Sequence, residues 1–198
     1  MNKTTQPHGK FGIMYRYLTA LVLGAILLLS ASLATAAPLT QGNAFPDINL
    51  EGNLTKEHRK ELGLKGNGPQ TLSDIKSDYV LIEVFSMYCP FCQAEAPSMN
   101  ELYGMVRNSP LGKNLAVIGL GAGNSQYEVD FFREKYSVPF ALFTDADLKI
   151  HKQIGETATP HFYIVDLSGK IPQVVYSQTG RMKSADAMFQ MLQDIIAQ

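Results

Sequence analysis

Cys89 and Cys92 are the only cysteines among the 198 residues, and they sit together in the stretch SMYCPFCQAEAP at 86–97. A pair at this spacing can form half of a zinc site, attach a haem, close a small staple or exchange electrons. A structural zinc needs four ligands. The histidines after His8 are His58, His151 and His161, and none stands at zinc-finger spacing from the pair. Haem attachment needs a histidine directly after the second cysteine, and position 93 is Gln. A staple over two residues constrains almost no chain, and the stabilisation by a disulfide shrinks with its loop. No metal or other cofactor is expected.

Redox chemistry explains the local context better. Cys89 follows an apolar run, YVLIEVF at 79–85, and sits where a helix begins. Free N–H groups and the positive dipole end there favour a thiolate. Such a site lowers a thiol from about 8.5 toward roughly 3.5–7.5. Cys92 lies one turn on and on the same face, so it can attack a mixed disulfide on Cys89 and release the partner. Pro90 suits the first helical position, where its missing N–H has no intrahelical acceptor.

Two acids stand near the pair. Glu83 lies among Leu81, Ile82, Val84 and Phe85. If that strand is central, burial raises the carboxyl and lets it take the proton of Cys92. If the strand is an edge, Glu83 is a solvated charge. Glu95 comes one turn after Cys92 and either shares the proton work or is a surface charge early in a helix.

The elements that must position these groups follow from the chain. Residues 1–17 carry Lys3, Lys10 and Arg16 and no acid, and an uncharged apolar run follows, ending in Ala34-Thr35-Ala36. That is the pattern of a secretory signal peptide at 1–36, cleaved before Ala37. An uncleaved membrane anchor is the alternative, because the run is nearly long enough to span a bilayer. Export, to the periplasm of a bacterial envelope, places the cysteine pair in an oxidising compartment. What remains is 162 residues with 14 basic against 18 acidic side chains, a net charge of −4. One domain is expected, at 47–198, after a loose lead-in at 37–46. No basic stripe is present, which argues against nucleic acid as a partner.

TKEHRKEL at 55–62 reads as a short charged helix and 63–70 as a loop. The runs at 79–85 and 114–121 read as buried strands. A helix is expected from Cys89 to about Val106, kinked at Pro97, with Met99, Leu102, Met105 and Val106 on its apolar face. Ser125 to Glu128 is a capping box opening a helix with Val129, Phe132 and Tyr136 on one side. Strands are expected at 140–144, 161–166 and 171–177, a short helix at 147–154, and a last helix with Met188, Met191, Leu192 and Ile195 in line. The order is β-α-β-α-β-α-β-β-α, an α/β domain with an antiparallel hairpin at its end. His161 reads as a partly exposed strand residue, His58 and His151 sit in charged, helical surroundings and take no role, and Phe131, Phe132 and the methionines read as core.

The stretch resembles the active site of the thioredoxin superfamily, and more narrowly that of the exported TlpA/ResA-like thiol–disulfide oxidoreductases. Cys89-Pro90-Phe91-Cys92 matches the C-x-x-C. Glu83, six residues before Cys89, falls where thioredoxin has its buried acid. Glu95 falls on the acid of the pattern C-x-x-C-x-x-E, and Pro97 on the proline that kinks the active-site helix. Thr159-Pro160 matches the cis-proline loop, which in the family faces the cysteines and pairs with the substrate backbone.

The resemblance implies a thioredoxin-like α/β fold with an inserted strand–helix and a central mixed sheet flanked by helices. It implies protein thiols and disulfides as partners, a reductase direction and a membrane electron donor as a source of recharge. Catalysis would fall to Cys89, Cys92, Glu83 and Glu95, and substrate contact to Tyr88, Pro90, Phe91, Thr159 and Pro160. Tyr88 stands where tryptophan is usual, and Pro-Phe is closest to the Pro-Tyr of glutaredoxins, which leaves the direction of electron flow open. A disulfide oxidase is the close variant. A thiol peroxidase of the same fold is an alternative, with Ser86 fitting P-x-x-x-[ST]-x-x-C but Ile82 in place of its proline. A binding module that keeps the pair as a staple is the third reading.

Overall fold

The structure is a computed structural model that describes residues 37–66 and 68–197. The signal-peptide reading of 1–36 falls outside the described residues. Among those residues no helix is long and apolar enough to cross a membrane.

The central sheet has five strands: β3 (Tyr79–Phe85), β4 (Leu115–Ala122), β5 (Ala141–Asp145), β6 (His161–Asp166) and β7 (Gln173–Thr179). Their order is β5-β4-β3-β6-β7, with β3, β4 and β5 parallel and β6 and β7 antiparallel to their neighbours. A separate antiparallel pair joins β1 (Asn49–Leu50) to β2 (Gln70–Thr71). The helices are α1 (Lys56–Leu62), α2 (Pro90–Arg107), α3 (Gln126–Tyr136), α4 (Lys149–Gln153) and α5 (Ala185–Ile196). This is the expected thioredoxin-like architecture, a mixed sheet with helices on its faces.

β3 is the middle strand, so both of its faces are covered. Successive strand residues point to opposite faces, and two cores result. Val80, Ile82 and Val84 join Phe45, Ile48, Leu72, Tyr163 and Val165 on one side. Leu81 and Phe85 join Cys92, Met99, Leu102, Phe162, Ile164 and Leu192 on the other. Glu83 lies between Leu81 and Phe85 in the same alternation, and therefore on the face that carries α2 and α5.

Local signals set the helix ends. Thr55, Ser125 and Ser184 each accept a backbone N–H at the start of α1, α3 and α5, satisfying donors that have no helical partner. Pro90 occupies the first turn of α2, and the helix runs through Pro97 to Arg107.

Several expectations change. The segment 37–46 is not loose. Gly42 and Phe45 donate to the carbonyls of Val174 and Pro172 at 2.8 Å each, Val174 donates back to Asn43 at 2.9 Å, and Phe45 is buried. The reason is β7, an edge strand whose outer backbone groups need partners. The loop read at 63–70 ends in a strand, since Gln70 pairs with Leu50. The last two strands are joined over 167–172, and β7 begins two residues later than the sequence suggested. His58 is buried and bonds the Pro139 carbonyl at 3.2 Å. Phe131 is exposed, because it falls on the outer side of α3 opposite Val129 and Phe132.

Candidate active site

β3 delivers the chain to the rim of the sheet, and residues 86–89 turn it into α2. Buried Asn124, from the turn after β4, holds this passage: its Oδ1 accepts the Met87 N–H at 2.8 Å. Gln93 Nε2 donates to the Met87 carbonyl at 2.8 Å, and Cys89 N–H to the Ser86 carbonyl at 3.0 Å. Cys89 is the N-cap of α2, with extended backbone, and Cys92 is the third helical residue. The sequence placed both correctly; it gave no hint of Asn124, which carries no motif.

The two sulfurs are unbonded and differ sharply. Cys89 is half-buried and Cys92 fully buried. Burial works to raise the Cys89 thiol, but hydrogen bonds from the Thr159 side chain, the Cys92 backbone and thiol and the Phe91 backbone outweigh it, so the net displacement is downward. The Phe91 and Cys92 N–H groups among them are the free groups of a helix start, which favour the anion. Burial dominates at Cys92 and drives its thiol far upward. The outer sulfur is thus the more easily ionised of the two, and the inner one is held as thiol.

The loop before β6 closes over the pair. Because β3 and β6 are antiparallel, with Val84 opposite His161, the end of one meets the start of the other. The peptide bond Thr159-Pro160 is cis, as the resemblance implied. Cys89 Sγ donates to the Thr159 carbonyl at 3.2 Å.

Both acids are buried, which removes the solvated alternatives for Glu83 and Glu95. Glu83 is 2% exposed and Glu95 0%. Burial, then the charges of Glu95 and Cys89, push the Glu83 carboxyl up from 4.5 to about 8. Glu95 Oε2 pairs with Arg181 Nε at 2.6 Å. Arg181 was not legible as a site residue, since 86 positions separate it from Glu95. His161 is also buried rather than partly exposed. It lies on the opposite sheet face, bonds the hydroxyls of Thr179 and Ser177 at 2.8 and 3.0 Å and stacks near Tyr163. Burial lowers its ring to about 4.

The rim residues are open. Tyr88 and Phe91 are 64% and 65% exposed, Pro90 is exposed, and the Tyr88 hydroxyl donates to Glu128 at the start of α3. Among the described residues no three His, Cys, Asp or Glu side chains converge to hold a metal.

A model of the AhpC/TSA family matches residues 41–174. The thiol-disulfide oxidoreductase ResA of Geobacillus thermodenitrificans (strain NG80-2) is 23% identical over 145 residues, which span 73% of this chain and 72% of that protein. The thioredoxin domain of a thiol-disulfide oxidoreductase from Bacteroides vulgatus superposes with a TM-score of 0.59 at 19% identity, covering 80% of this chain and 99% of that one. A secreted Mycobacterium tuberculosis disulfide oxidoreductase, described as homologous to Escherichia coli DsbE, gives 0.55 at 19% identity over 75% and 96%. These likenesses show the thioredoxin-like fold.

Proposed function

The chain belongs to the AhpC/TSA family, and from that premise we propose that it is a thiol–disulfide oxidoreductase of the ResA and DsbE type acting on protein disulfides. One observation carries the reading: a half-buried Cys89 with a lowered thiol stands beside a fully buried Cys92 with a raised one.

The chemistry follows from that difference. The Cys89 thiolate attacks one sulfur of a substrate disulfide; that S–S bond breaks, and the other substrate sulfur leaves as a thiolate. Cys92 then gives up its proton and attacks Cys89 Sγ. The Cys89–Cys92 bond forms, the Cys89–substrate bond breaks and the second substrate sulfur leaves. Two electrons have passed from the pair to the substrate. Glu83, the buried carboxyl beside Cys92, takes the proton, with Glu95 as its neighbour. Thr159 and Pro160 offer backbone to the bound substrate chain, and Tyr88, Pro90 and Phe91 form the rim it lies against.

The reductase direction is part of the proposal, with a membrane electron donor restoring the dithiol; an oxidase is the same sequence reversed. Export to the periplasm rests on the basic and apolar start at 1–36, with residues 47–198, together with the segment 37–46 that packs along β7, as the catalytic domain. The peroxidase reading is weaker, since Ile82 is a buried residue in mid-β3, opposite Ile118 and Tyr163, where that pattern has proline.

A Cys92→Ala variant tests the function. It should accumulate mixed disulfides through Cys89 with exported proteins, separable on non-reducing gels and identified by mass spectrometry. A variant that traps no partner, in a protein whose native disulfide also resists mild reductants, would leave a stapled binding module as the better description.

A further inference from the structure

Two carboxyl groups lie beneath the cysteine pair, one more than a single proton transfer needs. Glu83 comes from β3 and Glu95 from α2, and Oε1 of each has no hydrogen-bond partner. They are close enough for the charge of Glu95 to act on Glu83. Two buried carboxylates sharing a site resist ionising together. The proton inventory of the site therefore depends on which of them keeps the negative charge.

A third element decides. Arg181 follows β7 and reaches α2, where Nε meets Glu95 Oε2 at 2.6 Å and Nη2 donates to the Ala94 carbonyl at 3.1 Å. Its backbone is anchored on the other side of the site. Gly180, with φ of +91°, donates its N–H to the Pro160 carbonyl at 2.8 Å. Gln178 Nε2 donates to the Arg181 carbonyl at 3.2 Å. The guanidinium is half exposed, yet it is tied to the cis-proline loop through its backbone and to the active-site helix through its side chain.

We propose that Arg181 is a positioning residue that pins the negative charge of the buried acid pair on Glu95 and so leaves Glu83 as the carrier of the Cys92 proton. The proposal deepens the thiol–disulfide reading above and rests on it. A guanidinium stays protonated, so its partner stays anionic. That anion, with burial, holds the Glu83 carboxyl near 8. Glu83 then gives its proton to the Cys92 sulfur when the Cys89–Cys92 bond opens. In the resolving direction the Cys92 S–H proton passes to the Glu83 carboxylate, the Cys89–Cys92 bond forms and the electron pair leaves on the substrate sulfur.

The other groups around the pair are accounted for. Cys89 and Cys92 face it from the start of α2. β6 brings Phe162 and Ile164, and α5 brings Met188 and Leu192, all apolar. β7 adds the half-buried phenol of Tyr176, raised by burial. His161 lies on the opposite face with Tyr163.

Titration of the glutamate carboxyl carbons by NMR, in the reduced full chain, tests the assignment without any substrate. In the wild type the Glu83 carbon should titrate near 8. In R181Q the proton should move to Glu95, and the Glu83 midpoint should fall by about one pH unit or more. R181K keeps the charge and should restore it. The acid limb of the resolving step, the rise in rate as the Glu83 carboxylate forms, should move down with Glu83 in R181Q when followed by single-turnover kinetics. An unmoved Glu83 midpoint in R181Q overturns the proposal, and so does a lysine that fails to restore it. E95Q, which removes the anion itself, must lower the Glu83 midpoint in the same way; a midpoint still near 8 there also refutes it. Failure of the Cys92→Ala trap would remove the redox reading while these titrations stood, so the two failures are separable.

Discussion

Cys89 and Thr159 meet across 70 positions of sequence, the thiol 3.2 Å from the carbonyl oxygen. The antiparallel pairing of β3 with β6 brings them to one rim of the sheet. Both hydrogen bonding and access therefore separate Cys89 from Cys92.

Alkylation should follow that order. Brief iodoacetamide treatment of the reduced protein at neutral pH should label Cys89 at least about a hundredfold faster than Cys92, because the thiolate is the nucleophile and Cys92 is buried with a raised thiol. Peptide mapping by mass spectrometry gives the ratio. Labelling of Cys92 first would reverse the roles assigned here.

Stability should depend on pH through Glu83. Its carboxyl lies at about 8 in the fold against an ordinary 4.5. Between those values the unfolded chain releases a proton that the folded one keeps, so stability falls as pH rises through the window and is level above it. The loss is on the order of 5 kcal/mol. Glu83→Gln should flatten that slope in urea titrations of the reduced protein, whatever fixed offset the amide adds. An unchanged slope would show that the carboxyl titrates normally.

His161 should act in the opposite sense. Its ring lies at about 4 in the fold and at 6.5 ordinarily. The unfolded chain gains a proton first as pH falls, so stability present above 6.5 is lost on the way to 4. About 3 kcal/mol is at stake. His161→Gln should remove that acid limb from a plot of urea midpoint against pH, and a limb of undiminished size would place its origin elsewhere.

The exposed rim should matter for large substrates only. Tyr88 and Phe91 are the exposed aromatic side chains beside Cys89. Replacing either by Ala should lower kcat/KM on a protein disulfide about tenfold, the usual weight of an aromatic contact. Reduction of a small disulfide such as oxidised glutathione should change little. Equal losses on both substrates would mean the rings support the cysteines instead of the partner.

Asn124→Ala should loosen the passage from β3 into α2. It strips the Met87 N–H of its acceptor in a buried setting, at a cost of about 1–3 kcal/mol. Thermal unfolding would register it, and a variant as stable as the wild type would show that water replaces the amide.

The chemistry of this chain was legible where it depends on close spacing. Cys89 and Cys92 share a helix start, Glu83 alternates with its strand neighbours, and Ser125 with Glu128 writes its own cap. Helix and strand geometry fix which residues three or four apart, or two apart, share a face. That was enough to place the pair, the order of elements and the acid on β3. Resemblance supplied the loop at Thr159-Pro160, which no spacing rule would have tied to the cysteines.

The rest waited for the sheet. Whether Glu95 is a surface charge or a buried one depends on α5 and the turn after β7 packing against α2. Arg181 meets it only because β7 lies two strands from β3 and returns the chain to that helix. His161 is buried because strand order sets β7 and its hydroxyls beside it, whereas Phe131 is exposed because it lies on the outer side of α3. Periodicity along the chain determines each element and its apolar face. The partners of a charge, and with them its proton affinity, are decided by residues distant in sequence that the tertiary fold brings within 3 Å or so.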